Sequence, residues 1–198
     1  MRPTRTAACL AVLLTLTPIA ANALEIKVSA KALERTLLKQ LFTGPQNRYY
    51  IRGDANAACF VYAEDPKVSF AADRIVIHIK THAKLGEALH GACLGVSLNT
   101  EADVSVVPDA QGESIGFRDA RVEHLSESKE LNFFLVPFLS RKLPQQMKIN
   151  AADLVRQLLS TSTQSTGYDL KLNEMKIHSM QVSGDDLVVD LDGSLAVH

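Results

Sequence analysis

The chain has 198 residues, with 21 Lys and Arg against 22 Asp and Glu and a formal net charge of −1. That balance excludes the strongly basic composition of a nucleic-acid binder, and the length suits one domain with a sizeable core. After the first residues no apolar stretch is long enough to cross a bilayer.

The chain opens like a leader. Arg2 and Arg5 make a basic start, residues 7–16 form a short apolar run, and Ala21-Asn22-Ala23 is a small-x-small site. A signal peptide over residues 1–23, cleaved after Ala23, is expected; an uncleaved anchor is the alternative. Cys9 lies inside the apolar run, in the wrong context for a lipid-modified first residue, so the released chain is expected to be free rather than acylated. Residues 24–198 then form a single α+β domain, periplasmic or secreted. Loss of Arg2 and Arg5 makes that domain more acidic. Two cysteines remain, Cys59 and Cys93. In an exported protein an even pair reads as a disulfide, closing a loop of about 35 residues and contributing about 3–4 kcal/mol. A redox pair would need a close Cys-x-x-Cys, which is absent.

A first helix is expected over residues 30–42. Leu33, Leu37 and Leu41 form its stripe, widened by Ala30, Leu38 and Phe42, with Gly44-Pro45 as the stop. Strand-like segments follow at 48–52, 58–63 and 67–71. Residues 74–85 alternate cleanly: Ile75, Ile77, Ile79, Thr81, Ala83 and Leu85 share one face, while Val76, His78, Lys80, His82 and Lys84 share the other. A break is expected over 86–91, then alternation from Ala92 to Val106, a turn at 108–112 and a strand at 115–125. Long single-faced strands in succession imply a strongly curved antiparallel sheet with one covered side. A helix over 130–142, carrying Leu131, Phe134, Leu135, Phe138, Leu139 and Leu143, supplies the cover. Pro137 should kink it or delay its start, and Pro144 should end it. A further amphipathic helix at 151–160, a polar loop at 160–167 and two strands joined by Ser183-Gly184-Asp185 complete the chain.

One pattern occurs twice. Lys27-Val28-Ser29-Ala30, followed by Leu33, Arg35, Leu37 and Leu38, returns as Lys148-Ile149-Asn150-Ala151, followed by Leu154, Arg156, Leu158 and Leu159. Each copy reads as a capped helix start. Downstream, the segment from Asp73 to Ile79 has a counterpart from Asp185 to Leu191. Two copies of one helix-then-strands unit, sharing an apolar interior, are expected.

Motifs for chemistry are sparse. His78 and His82, four residues apart on a strand, stand about 13 Å from one another, too far to share one ion. Asp185, Asp186, Asp190 and Asp192 lack the ligand spacing and closing Glu of a calcium loop. No Gly-x-Ser-x-Gly elbow and no phosphate-cradling glycine loop is present. No metal, cofactor or catalytic residue is therefore expected, and binding is preferred to catalysis.

The segment Leu135-Val136-Pro137-Phe138-Leu139-Ser140, followed by Leu143, resembles the apolar-Pro-aromatic-Leu helix of the small YceB-like bacterial envelope lipoproteins, and through them the tubular lipid-binding, BPI-like superfamily. The opening strand and helix over 26–42 and the closing strands near 175–182 and 187–191 fit the same order. The resemblance implies a long curved antiparallel sheet wrapped around a long helix, a BPI-like half-barrel, with an elongated apolar cavity. It departs in two places: the lipidated cysteine of those relatives is missing, and the Cys59–Cys93 pair has no counterpart. The expectation is an exported protein that binds a lipid or other apolar ligand in a groove between helix and sheet. Its lining residues would be Leu33, Leu37, Leu41, Ile75, Ile77, Ile79, Phe134, Leu135, Phe138 and Leu139. The rival is a non-catalytic envelope interaction or assembly protein, or an inhibitor, with a filled core. Membrane contact would be peripheral at most.

Overall fold

The computed structural model describes residues 23–198; the leader expected over residues 1–23 falls outside the described residues except for Ala23, which opens the first strand. Strand β1 (Ala23–Ser29) runs directly into helix α1 (Ala30–Gln40), whose first free N–H groups are capped by Ser29 accepting from the Ala32 amide. Three strands then lengthen in order: β2 (Tyr49–Arg52), β3 (Phe60–Ala71) and β4 (Arg74–Leu89). β5 (Ala92–Gln111) and β6 (Ser114–His124) follow. Helix α2 (Lys129–Pro137) passes through a wider turn at Phe138–Lys142 into α3 (Leu143–Gln146). The two-residue β7 (Ile149–Asn150) leads into α4 (Ala151–Leu159) and the short α5 (Ser162–Thr166). β8 (Leu170–Ser183) and β9 (Asp186–Val197) close the chain.

All strand pairs are antiparallel. They form a curled six-stranded half-barrel in the order β2-β3-β4-β5-β6-β7 and a three-stranded sheet in the order β1-β9-β8. The α+β class and the long curved sheet with a covering helix are thus observed. Among the described residues no helix is long and apolar enough to cross a membrane.

The alternation of β4 sets the core. Ile75, Ile77, Ile79, Thr81, Ala83 and Leu85 are all buried, and the Thr81 hydroxyl is satisfied by donating to the Thr100 carbonyl at 3.1 Å. Leu33 and Leu37 of α1, Leu131, Leu135, Leu139 and Leu143 of the helical rod, and Leu187, Val189 and Leu191 of β9 close over that face. β3 is one strand rather than two, because its irregularity between Glu64 and Lys67, with Asp65 at φ 52°, is absorbed as a bulge. The Glu34 carboxylate of α1 accepts from the Val68 amide just past that bulge, at 3.1 Å, and ties helix to strand.

Four further expectations are corrected. The break expected over 86–91 narrows to a turn at His90 and Gly91: β4 runs to Leu89, and Gly86 and Gly95 face one another across the β4–β5 ladder. A Cβ on Gly95 would stand 2.0 Å from the Leu85 carbonyl oxygen, and one on Gly86 2.0 Å from the Leu94 carbonyl oxygen. The glycines allow a close backbone approach instead of ending the strand. We expect Gly95→Ala to cost about 1–3 kcal/mol by overpacking. Hydrogen exchange should lose protection over 86–95 while the amides of Ile75, Ile77 and Ile79 keep theirs. Equal protection across the whole hairpin would refute this.

The turn expected at 108–112 lies instead at Gly112 and Glu113, since Pro108 sits within β5, where its buried ring packs inward. The polar loop at 160–167 contains α5. Pro144 does not end the rod. Pro137 and Pro144 both lack an N–H, and between them the backbone widens so that Leu143 N–H reaches the Phe138 carbonyl, five residues back. Beside this stretch the Ser140 hydroxyl donates to the Val136 carbonyl, four residues back, at 2.7 Å.

The repeated pattern has a topological counterpart. β1 and β7 each feed a capped helix, and Asn150 accepts from the Asp153 amide as Ser29 does from Ala32. β1 pairs with β9, the last strand of the second unit, while β7 pairs with β6, the last of the first. Each unit thus lends its opening strand to the other's sheet. The segments from Asp73 and from Asp185 both follow tight turns, with Ala72 at φ 54° and Gly184 at φ 61°.

Cys59 and Cys93 are bonded, joining the start of β3 to the tip of the β4–β5 hairpin.

Candidate functional site

The helical rod presents two faces. Leu131, Leu135, Leu139 and Leu143 recur at four-residue spacing and are sealed into the core. Phe133, Val136 and Pro137 lie on the opposite side, and Phe133 is 75% exposed. Beside this outer face runs β2, in which Tyr49 and Ile51, two residues apart, point the same way. An open groove of about 710 Å³ lies between them, bordered by Tyr49, Ile51, Phe133, Phe134, Phe138 and Lys142.

The groove is built from aromatic contacts. Tyr49 and Phe138 stack with ring centres 4.9 Å apart and planes 18° from parallel, and Phe42 meets Tyr49 edge-on at 6.5 Å. Phe133 and Phe134 are perpendicular at 5.2 Å. The Arg52 guanidinium lies 5.2 Å from the Phe134 ring centre, a cation–π distance. Burial holds the Tyr49 hydroxyl pKa above its ordinary value, so it stays neutral. Asn132 also borders the groove. Its amide nitrogen donates to the Ser126 carbonyl at 2.7 Å, while its Oδ1 is buried without a partner.

The ten lining residues expected from sequence divide unequally. Phe134 and Phe138 border the groove. Leu33, Leu37, Leu41, Ile75, Ile77, Ile79, Leu135 and Leu139 are packed into the closed core and do not border it. Tyr49, Ile51, Phe133 and Val136 border it and were not singled out. The signal for Phe133 was present: an aromatic residue four positions before Pro137, on the side of the helix away from the leucines.

The histidines sit among carboxylates. His78 Nδ1 meets Asp103, and His82 Nε2 lies 2.8 Å from a Glu64 oxygen whose partner oxygen takes Arg48 Nε at 2.8 Å. The Glu64 contact draws the Arg48 pKa further upward. Among the described residues no group of three or more His, Cys, Asp or Glu is arranged to hold a metal ion.

No family model matches the chain. No curated protein matches it either. Among solved structures the chain is similar to a "Crystal structure of lipopolysaccharide binding protein", at 13% identity with a TM-score of 0.34. The match covers 88% of this chain and 50% of the other, so the chain spans about half the length of that protein.

Proposed function

We propose that the chain is an exported, non-catalytic binding protein whose groove between α2 and β2 takes the apolar part of a lipid or similar amphiphile. One observation carries this reading: Phe133 stands exposed on a wall of aromatic and aliphatic side chains around a space within the 300–1,000 Å³ range of ligand sites. Each ligand methylene that leaves water there contributes about 0.8 kcal/mol, before the cost of ordering the chain. Lys142 at the edge and Arg52 over Phe134 suit an amphiphile better than an oil.

Export is supported by the leader-like first 23 residues and by the Cys59–Cys93 bond, which persists in an oxidising compartment. The kinship we infer with YceB-like envelope lipoproteins rests on the segment from Leu135 to Ser140 and the curled sheet. Native mass spectrometry of protein purified without detergent tests the binding. Adducts released on denaturation are expected, together with at least a tenfold loss of added fatty acid or phospholipid in Phe133→Ser. Protein that carries no adduct and accepts neither probe ends the proposal.

A second reading is an envelope interaction protein or inhibitor. It is favoured by the β4–β5 tip, where Leu89, Leu94 and Val96 are exposed beyond the end of the covered sheet. It predicts that Leu94→Ser abolishes a crosslinked envelope partner while ligand retention is unchanged; a partner captured equally by both proteins would count against it.

A further inference from the structure

The same rod borders a second, chemically different pocket of about 350 Å³, between β6 and the Phe138–Lys142 turn. Three cations converge on it. Arg118 comes from β6, Arg141 from the widened turn and Lys148 from the segment before β7, and Gln111, Ser140 and Gln145 add neutral polar side chains. The carboxylate on its wall, Asp119, is already occupied by Arg74 at 2.9 Å and Arg121 at 2.7 Å. Hydrogen bonds from Arg74 and then Arg121 hold its pKa below the usual carboxylate range, so it stays ionised and engaged elsewhere. Arg118 shares Asp109 at 3.2 Å. Among the described residues Arg141 and Lys148 have no carboxylate partner. A concavity with three cations against one engaged acid is a local excess of positive charge on a chain of net charge −1.

The backbone makes room for this. Gly116 of β6 has no Cβ, and the place one would take is filled by the Gln111 side chain, whose Nε2 lies 2.5 Å from that point. Gln111 can therefore lie along the wall of the pocket, while its Nε2 keeps a long contact of 3.4 Å to Asp109.

We propose that this pocket binds a phosphate-type oxyanion, either free or as the head of a lipid. Arg118 and Arg141 offer planar, forked donors that match such an oxygen set, and Lys148 adds a point charge. Pro137 and Arg141 are on successive turns of the rod, and from Phe133 to Arg141 is about 12 Å along a helix. The pocket does not depend on the groove reading, since a free anion needs no apolar contact.

The test is calorimetric titration at low ionic strength with inorganic phosphate, and in parallel with phosphatidylcholine vesicles with and without phosphatidic acid. Arg141→Glu with Lys148→Glu, and the milder Arg141→Gln with Lys148→Gln, alter exposed side chains, and circular dichroism checks that both variants are folded. Saturable phosphate binding that falls at least tenfold in either variant supports a free-anion site. Binding only to vesicles containing phosphatidic acid, lost in the same variants, supports a lipid head. Phe133→Ser should keep its phosphate affinity, so a failed groove leaves the pocket testable. Absence of binding to both probes, or folded variants that bind like the unmodified protein, overturns the proposal.

Discussion

Replacing Cys59 and Cys93 by serine is expected to lower stability by about 3–4 kcal/mol, because the bond closes a loop with a sequence separation of 34. For a domain of this size that is a fall in Tm of roughly 6–16 °C. The location makes the effect more than a loop-closure term. Beyond Leu85 the β4–β5 hairpin leaves the core, and Leu89, Leu94 and Val96 are exposed there. What fixes that end is its ladder, the Gly86–Gly95 approach and the crosslink to the start of β3. Thermal unfolding of the double serine variant, and of the unmodified protein under reductant, should give the same lowered midpoint. A loss below about 1 kcal/mol would mean that the ladder alone holds the tip. Gly95→Ala in the serine background should not be additive with it, since both act on the same end of one hairpin.

The repeated helices allow a paired comparison. Leu37→Ala is expected to cost about 2–5 kcal/mol, whereas Leu158→Ala, at the matching place in the second copy, should stay within about 0.5 kcal/mol. Leu37 is 2% exposed and Leu158 74%. α1 buries Leu33 and Leu37, but α4 buries Ala151 and Ala152, with Val155 half-buried behind them. The buried face of α4 is therefore turned by about one residue, roughly 100° around a helix. Urea unfolding of the two variants reads the difference directly as a shift in midpoint at constant slope. Similar losses in both would show that α4 packs as α1 does.

That comparison also marks how far the sequence could be read. Periodicity identified both helices, their caps, the inward face of β4 and the closing hairpin, because each depends on residues within one element. It could not distinguish the stripe of α1 from that of α4, since a leucine four positions from another looks the same whether a sheet lies over it or water does. The expected lining divides between core and groove for the same reason. Ile75, Ile77, Ile79, Leu135 and Leu139 face inward as the alternation demanded, but the opposing elements close on them completely. The groove is formed by the rod's other face, where Phe133 and Val136 break the polar pattern and β2, only four residues long, comes alongside. The cationic pocket was illegible: Arg118, Arg141 and Lys148 are brought together only by pairing β7 with β6 and by packing the rod against β6. Gly86 misled because a glycine in an alternating run signals a turn as readily as a close crossing, and its partner Gly95 is known only once the register is.

The exchange of opening strands has a consequence for how the molecule is made. Ala23 is opposite Asp192 and Ser29 opposite Asp186, so β1 has no partner until almost the whole chain exists. At a synthesis rate of about 5–20 residues per second, that is a wait of roughly ten to thirty seconds with β1 unpaired. Sequence-distant pairing of this kind slows folding and leaves a nascent β-edge open to other chains. The newborn polypeptide thus has a window in which a holdase would find a natural client, and β9 shuts that window last.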